Sequence, residues 1–383
     1  MLLSDTLIID ATDRLGWLAG RVLADLGADV IKLEPPGSDR SRAEWRAFNV
    51  NKRVLEVDPQ SAADQAQVAD LMARADICLT TPPPAGASAW FDAWLDPDAL
   101  RRAYPRLVVV AIRPFGGAGP RRDWKASDIE IMAAGGAMAL AGEPDGMPVR
   151  VSEPQSPGWA GAQAAAGALV ALYRRDATGQ GDLVDVSAQA CVVTALSHAP
   201  TFVDLLGIEP TRAGAFMTGR SIKGARYRVF WPCRDGYINF IFYGGEAGRR
   251  TNEQLVAWMR ERGAALGALA AIDWKTWDPT GADQAEVDAI EAPVLAFFAD
   301  LTKREFLDEG HRREMLGYPV STIADIADDP QLAARAFFQR APGSGERFCG
   351  GFAVIDGERP PLRHPPGAPW CAEPALQMRR TGA

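Results

Sequence analysis

The amino-acid sequence predicts an α/β protein: a parallel, doubly wound sheet, with a second and smaller α+β domain beside it. Three observations carry this. Short apolar runs of strand type alternate with helical patterns up to about residue 112. A later helix is dominated by alanine and glycine in its first half. The chain has 383 residues, room for two or three domains at about 150 residues each.

The elements follow in order. TLIIDA (6–11) is an apolar strand, and RLGWLAGRVLADL (14–26) has apolar residues at helical spacing. Gly16 and Gly20 share one face of that helix, where a strand backbone could come close. Gly27 stops it, and ADVIKLE (28–34) is the next strand. RVLEVD (53–58), DICLT (76–80) and LVVVAI (107–112) are further strands, with helices expected at about 60–73 and 91–103. Apolar strands between helices belong to parallel sheets covered on both faces.

AGAQAAAGALVALYRR (160–175) has almost no large side chain before Leu169, so it packs close to a neighbour at the centre of the fold. TGQGDLVDVS (178–187) supplies a glycine turn and a strand, and one long helix is expected over 187–206. Residues 207–330 form the small domain: a Gly- and Arg-rich loop (211–228), a hairpin over 227–242 turning at Asp235-Gly236, then helices. DDPQLAARAFFQ (328–339) begins a return segment, and the tail from about 358 is proline-rich extended chain.

Composition excludes several classes. Forty-one basic against 49 acidic residues give a net charge of -8, which argues against nucleic-acid binding. Five widely spaced cysteines without a CxxC read as reduced thiols of a cytoplasmic protein. The N-terminus has no signal-peptide pattern, and no apolar run is long enough to span a membrane. His198, His311 and His364 lie far apart, and no metal-ligand spacing occurs, so no metal is expected. A nicotinamide cofactor needs GxGxxG after the first strand, whereas DRLGWLAG has its glycines four apart, so no NAD is expected. P-loop and nucleophile-elbow motifs are missing as well. Composition and spacing reach a two-domain α/β enzyme and stop there.

Longer stretches carry a resemblance. LADLGADVIKLEPPGSDRSR (23–42), FNVNKRVLEVD (48–58), YPRLVVVAIRPFGGAGP (104–120), GALVALYRRDATGQGDLVDVS (167–187) and LGYPVSTIADIADDPQLAARAFF (316–338) resemble the family III CoA-transferases, the CaiB/BaiF group. The resemblance implies a Rossmann-like large domain (1–206, completed by 331–383) and a small domain (207–330). It also implies two chains interlocked as rings, and acyl-CoA with a small carboxylic acid as substrates. The family's chemistry is nucleophilic: an aspartate carboxylate attacks the thioester to form a mixed anhydride, and the CoA thiolate returns to make an enzyme thioester.

The resemblance puts that aspartate at Pro157, which has no nucleophile. Glu153 is the nearest carboxylate, and the alternative for it is a surface acid beside Pro154. The family racemases' histidine would fall near Ser127, so two-base racemisation is not expected. Asp128 matches an acid of the family active site, or else caps the helix that begins after it. Arg42, Lys52, Arg53 and Lys125 are the candidate contacts to CoA, whose phosphates suit fixed cations. The family's Asn- and Arg-bearing loop is replaced here by ADICLTTPPPAGASAW (75–90). Arg212, Arg220, Lys223, Arg226 and Arg228 form a basic glycine-rich loop that could cover an anionic substrate, or be a solvated loop. Three functions stay open: an acyl-CoA:carboxylate CoA-transferase, the non-catalytic subunit of a heteromeric CoA-transferase, and a diverged acyl-CoA lyase or isomerase using Asp128. The resemblance implies a homodimer, or a heterodimer with a second family III chain.

Overall fold

The computed structural model describes residues 1–83 and 96–371. The chain forms two compact units: Met1–Met138, Arg150–Glu209 and Pro330–Ala383 make the first, Ala139–Val149 and Pro210–Asp329 the second.

The first unit is organised by a parallel sheet of β1 (Leu7–Ala11), β2 (Asp29–Glu34), β3 (Arg53–Glu56), β4 (Ile77–Thr80), β5 (Val108–Arg113) and β6 (Leu183–Ser187). Their order is β3-β2-β1-β4-β5-β6, the doubly wound arrangement, with Ile8 in register with both Val30 and Ile77. Alternation along the strands decides which layer each side chain meets. Ile8, Val30, Ile77, Val108 and Val110 pack with α1 (Trp17–Asp25), α6 (Ser156–Thr178) and α7 (Ala188–Ala195). Leu7, Ile9, Ile31, Leu33, Cys78 and Val109 pack with α3 (Ala62–Arg74) and α4 (Pro97–Ala103). The short α2 (Ala43–Asn49) and α5 (Asp128–Ala134) precede β3 and α6. Of the expected helix over 91–103, residues 91–95 lie outside the described residues.

The alanine-rich helix sits where its composition requires. A Cβ at Gly161 would lie 2.7 Å from the Leu18 Cβ and 3.1 Å from the Ala19 amide, so α1 and α6 touch nearly backbone to backbone. Gly16 and Gly20 correct the expectation that a strand backbone approaches them. Side chains from β1 and the loop after it do so instead: a Cβ on Gly20 would fall 2.2 Å from the Asp10 carboxylate, and one on Gly16 would meet Thr12 at 2.6 Å.

The single helix expected over 187–206 is two, α7 and α8 (His198–Leu206). Pro200 explains the break. Its ring would collide with the Leu196 carbonyl inside a continuous helix, and it sits instead in the first turn of α8, where no amide is needed.

The return segment carries α13 (Pro330–Ala334), the antiparallel pair β12 (Phe338–Arg340) and β13 (Arg347–Cys349), and β14 (Ala368–Pro369). β14 was not foreseen. It adds parallel to β3 and makes the sheet seven-stranded. Arg363 fastens this segment, donating to the carbonyls of Gly27 and Ala24 at 3.0 and 3.1 Å, while its own amide donates to Asn51 Oδ1 at 2.7 Å.

In the second unit β9 (Phe230–Cys233), β10 (Gly236–Asn239) and β11 (Tyr318–Pro319) form an antiparallel sheet, after the small pair β7 (Phe216–Met217) and β8 (Tyr227–Arg228). Gly236 pairs with Cys233, so the hairpin turns at Arg234-Asp235, one residue earlier than expected. Trp231, Phe240, Phe242 and Phe298 make the core with α9 (Gly245–Glu261), α10 (Gln284–Ala299) and α11 (Lys303–Arg312), ahead of the short α12 (Ile323–Ala327).

The two units differ in detail from the expected division 1–206, 207–330 and 331–383: residues 139–149 group with the second unit, and its main segment begins at Pro210. The cause is Arg212, whose guanidinium donates to the carbonyls of Ala139, Glu143 and Gly146 at 3.1 to 3.4 Å. No described helix is long and apolar enough to cross a membrane.

Candidate functional site

The strand order reverses between β1 and β4, and open α/β sheets bind ligands in the crevice outside the strand C-termini at such a point. The loop after β1 passes there as Thr12-Asp13-Arg14-Leu15-Gly16. The Asp13 amide donates to Thr81 Oγ1, just beyond β4, at 2.8 Å, which ties the two sides together.

The segment after β5 leads to α5 and then to the head of α6. Ser127 caps α5: its amide and hydroxyl donate to the Glu130 carboxylate, which lies below the usual carboxylate range because of these bonds. Asp128 therefore does not cap its own helix, as expected for the structural alternative. Its Oδ1 reaches across to α6, accepting from the Gln155 amide at 2.9 Å, the Ser156 amide at 2.8 Å and the Ser156 hydroxyl at 2.9 Å. Pro157 follows in the first turn of α6, where its missing N–H costs nothing. The anion-attracting end of this helix is thus closed from within. Glu153 is exposed, and among the described residues its carboxylate takes no hydrogen bond; Gln155 instead bonds its backbone carbonyl at 3.0 Å. Lys125 is exposed and has no ion pair within 4 Å among the described residues.

The other expected cations separate sharply. Arg42 is exposed at the start of α2, with no ion pair within 4 Å among the described residues. Lys52, the second candidate contact to CoA, is fully buried. Its ammonium donates to Asp10 Oδ2, Asn49 Oδ1 and the Trp17 carbonyl, each at 2.8 Å, leaving no hydrogen for a ligand. Burial pushes this ammonium down to about 8, against the pull of Asp10. For Asp10, burial acts to raise the carboxyl, but Lys52 and Lys32 together outweigh it and hold it low. Arg53 is also spent, forking onto Asp29 at the start of β2. That pair lies at the N-terminal edge of the strands, the end opposite the crevice.

Sequence reading passed over Asp10 and Lys32. Both are essentially unexposed, and Lys32 Nζ donates to the Thr12 carbonyl at 2.7 Å and the Leu33 carbonyl at 3.1 Å. The available signal was a charge flanked by apolar residues in each of two strands, Asp10 in TLIIDA and Lys32 in DVIKLE, where burial demands a partner. An exposed cluster after β5 was missed as well: the Arg121 guanidinium lies 5.9 and 5.3 Å from the rings of Phe115 and Trp124.

In the second unit most arginines of the basic loop are engaged within the unit itself. Arg212 clamps residues 139–149, and Arg220 donates to the Phe242 carbonyl at 2.9 Å while lying 4.8 Å from the Tyr243 ring centre. Arg226 and Arg228 stack on Phe216 at 5.2 and 4.8 Å. Lys223 alone of the five stays exposed without such a contact among the described residues. Of the stretch 75–90, residues 84–90 lie outside the described residues. Among the described residues no group of three or more His, Cys, Asp or Glu side chains could hold a metal ion.

The strand order with a glycine-poor first turn defines a Rossmann-like protein that lacks the dinucleotide fingerprint. Residues 3–376 match CoA-transferase family III, and the chain belongs to that family. It is 31% identical over 402 residues to a Mycobacterium tuberculosis protein named "Probable CoA-transferase", covering 97% of this chain and 47% of that one. The chain thus spans about half the length of that relative. It is 29% identical to the succinyl-CoA:(R)-benzylsuccinate CoA-transferase subunit BbsE of Thauera aromatica, over 87% of this chain and 82% of the relative. It is 32% identical to the succinyl-CoA–D-citramalate CoA-transferase of Chloroflexus aurantiacus, over 84% and 78%. A CaiB/BaiF family protein from Brucella suis has the same fold, with a TM-score of 0.78 at 23% identity over 95% of this chain and 96% of that one.

Proposed function

We propose that this chain transfers CoA between an acyl-CoA thioester and a small carboxylic acid, in the cytoplasm. Family membership over nearly the whole length carries this reading. The nucleotide end of CoA lies in the crevice at the β1/β4 switch, with Arg42 and Lys125 as the exposed cations for its phosphates. Glu153, a solvent-facing carboxylate just ahead of α6, is the nucleophile of this reading. It attacks the thioester carbonyl and releases CoA thiolate, giving a mixed anhydride. The thiolate then attacks the glutamyl carbonyl and frees the first acid as its carboxylate. Two chains assemble through the apolar residues that the first unit leaves exposed, among them Leu205 and Leu206 on α8 and Val170 and Tyr173 on α6.

A second reading has a specific support: Pro157 stands where the resemblance expects the nucleophile, and one relative is named as a subunit. In it, this chain holds acyl-CoA for a partner chain that carries the aspartate.

The test is calorimetric titration with CoA, acetyl-CoA and succinyl-CoA, followed by transfer assays on Glu153→Gln. Micromolar binding with transfer lost in the variant supports the first reading. Binding with no transfer by the wild-type chain favours the partner reading. No binding at millimolar ligand overturns the stand-alone transferase.

A further inference from the structure

The crevice loop between β1 and α1 has no glycine fingerprint to shape it, yet it is held at both ends. The holding groups are buried charges beneath it. At the near end, Asp10 Oδ1 accepts from the Thr12 amide at 3.0 Å and the Thr12 hydroxyl at 2.6 Å, while Lys32 Nζ donates to the Thr12 carbonyl at 2.7 Å. Every backbone and side-chain polar group of Thr12 is therefore satisfied by two buried ions. At the far end, Lys52 Nζ donates to the Trp17 carbonyl in the first turn of α1, at 2.8 Å. The same ammonium bonds Asp10 Oδ2 at 2.8 Å, so the two anchors are one network. Glu34 lies 3.6 Å from Lys32 and accepts from the Trp45 indole at 2.9 Å, which balances two cations with two anions. Gly20 leaves room for it all: a Cβ there would lie 2.2 Å from Asp10 Oδ2 and 3.2 Å from Lys52 Cε.

We infer that Asp10, Lys32 and Lys52 are positioning residues, which set the Thr12–Gly16 loop in the form that receives the ligand of the switch-point crevice. None of the three touches the ligand. A buried ion network of this kind contributes little net stability compared with apolar replacements, so its use lies in fixing one geometry. Fixing a loop before binding removes an ordering cost that would otherwise weaken affinity. The inference rests on CoA being that ligand.

The test compares the wild-type chain with Asp10→Asn/Lys52→Met, which removes both charges together and avoids leaving one buried ion unpaired. Arg21→Met/Asp25→Asn, which removes another buried pair (2.8 Å) holding the Ala47 and Cys349 carbonyls, is the control. Amide hydrogen exchange at Thr12, Asp13, Leu15 and Gly16 and calorimetric titration with CoA are read on each. We expect the Asp10/Lys52 variant to fold, to exchange these amides faster, and to bind CoA about tenfold more weakly, with the control close to wild type in both. Unchanged exchange at the four amides overturns the inference. So does an equal affinity loss in the control. Gly20→Ala, which leaves every charge in place but displaces the Asp10 carboxylate, should reproduce both effects. If the wild-type chain binds no CoA, the proposed function fails on its own account, and exchange alone decides whether the network tethers the loop.

Discussion

Asp128 and Ser156 meet at the head of the alanine-rich helix: one carboxylate oxygen of Asp128 accepts from both the amide and the hydroxyl of Ser156, at 2.8 and 2.9 Å. With the Gln155 amide as a third donor, the carboxylate closes the end of a 23-residue helix from a different segment of chain. Asp128→Ala should lower stability by about 1–2 kcal/mol, the usual cost of a lost helix cap. Urea unfolding checks this. A variant as stable as wild type would remove the capping role.

Glu291 makes the second prediction, in the other unit. It is 7% exposed, and burial pushes its carboxyl up to about 7, although the Arg228 amide donates to it at 2.7 Å and the Arg228 guanidinium stands 3.9 Å away. The folded chain thus keeps a proton that the unfolded chain loses near 4.5. Stability contributed by this group is complete below that value and declines as pH rises toward 7. Glu291→Gln keeps an acceptor for the Arg228 amide and has no charge to bury. It should match wild type at acid pH and exceed it above neutrality, by no more than about 3 kcal/mol. Unfolding curves on either side of that window decide it, and a constant difference would refute the assignment.

Two glycines of α6 should answer alanine in opposite directions. Gly161→Ala places a methyl 2.7 Å from the Leu18 Cβ, so the helices must part, at a cost of about 1–3 kcal/mol. Gly158→Ala meets nothing within 4 Å and should stabilise by about 0.5–1 kcal/mol through helix propensity. Thermal unfolding of the pair tests the packing directly. Equal shifts would mean that α1 and α6 are not in close contact.

Much of the sheet was readable in one dimension because burial on both faces leaves a local mark. TLIIDA, ADVIKLE and LVVVAI are apolar runs too short for helices, and β1, β2 and β5 fall on them within one residue at either end. The small side chains of 160–168 likewise announce a close helix contact wherever that helix lies. β14 left no such mark, since two residues of a proline-rich tail become a strand only when the edge of β3 offers its backbone. Local spacing also failed at 187–206, where Pro200 decides the break.

The site was less legible, because a charged residue looks alike in sequence whether it faces solvent or an opposite charge. Lys52 and Arg53 stand in an NKR run that reads as exposed cations, and both are consumed by Asp10 and Asp29 from other strands. Asp128 reads as a helix cap or an acid, and which helix it caps depends on α6 arriving from 27 residues further along. The amino-acid sequence by itself determined the family, the sheet and the close-packed helix, since each is written in side-chain size and polarity along a local stretch. Which charges remain to meet a ligand was decided only by the tertiary structure, because a buried ion must find its partner across the fold.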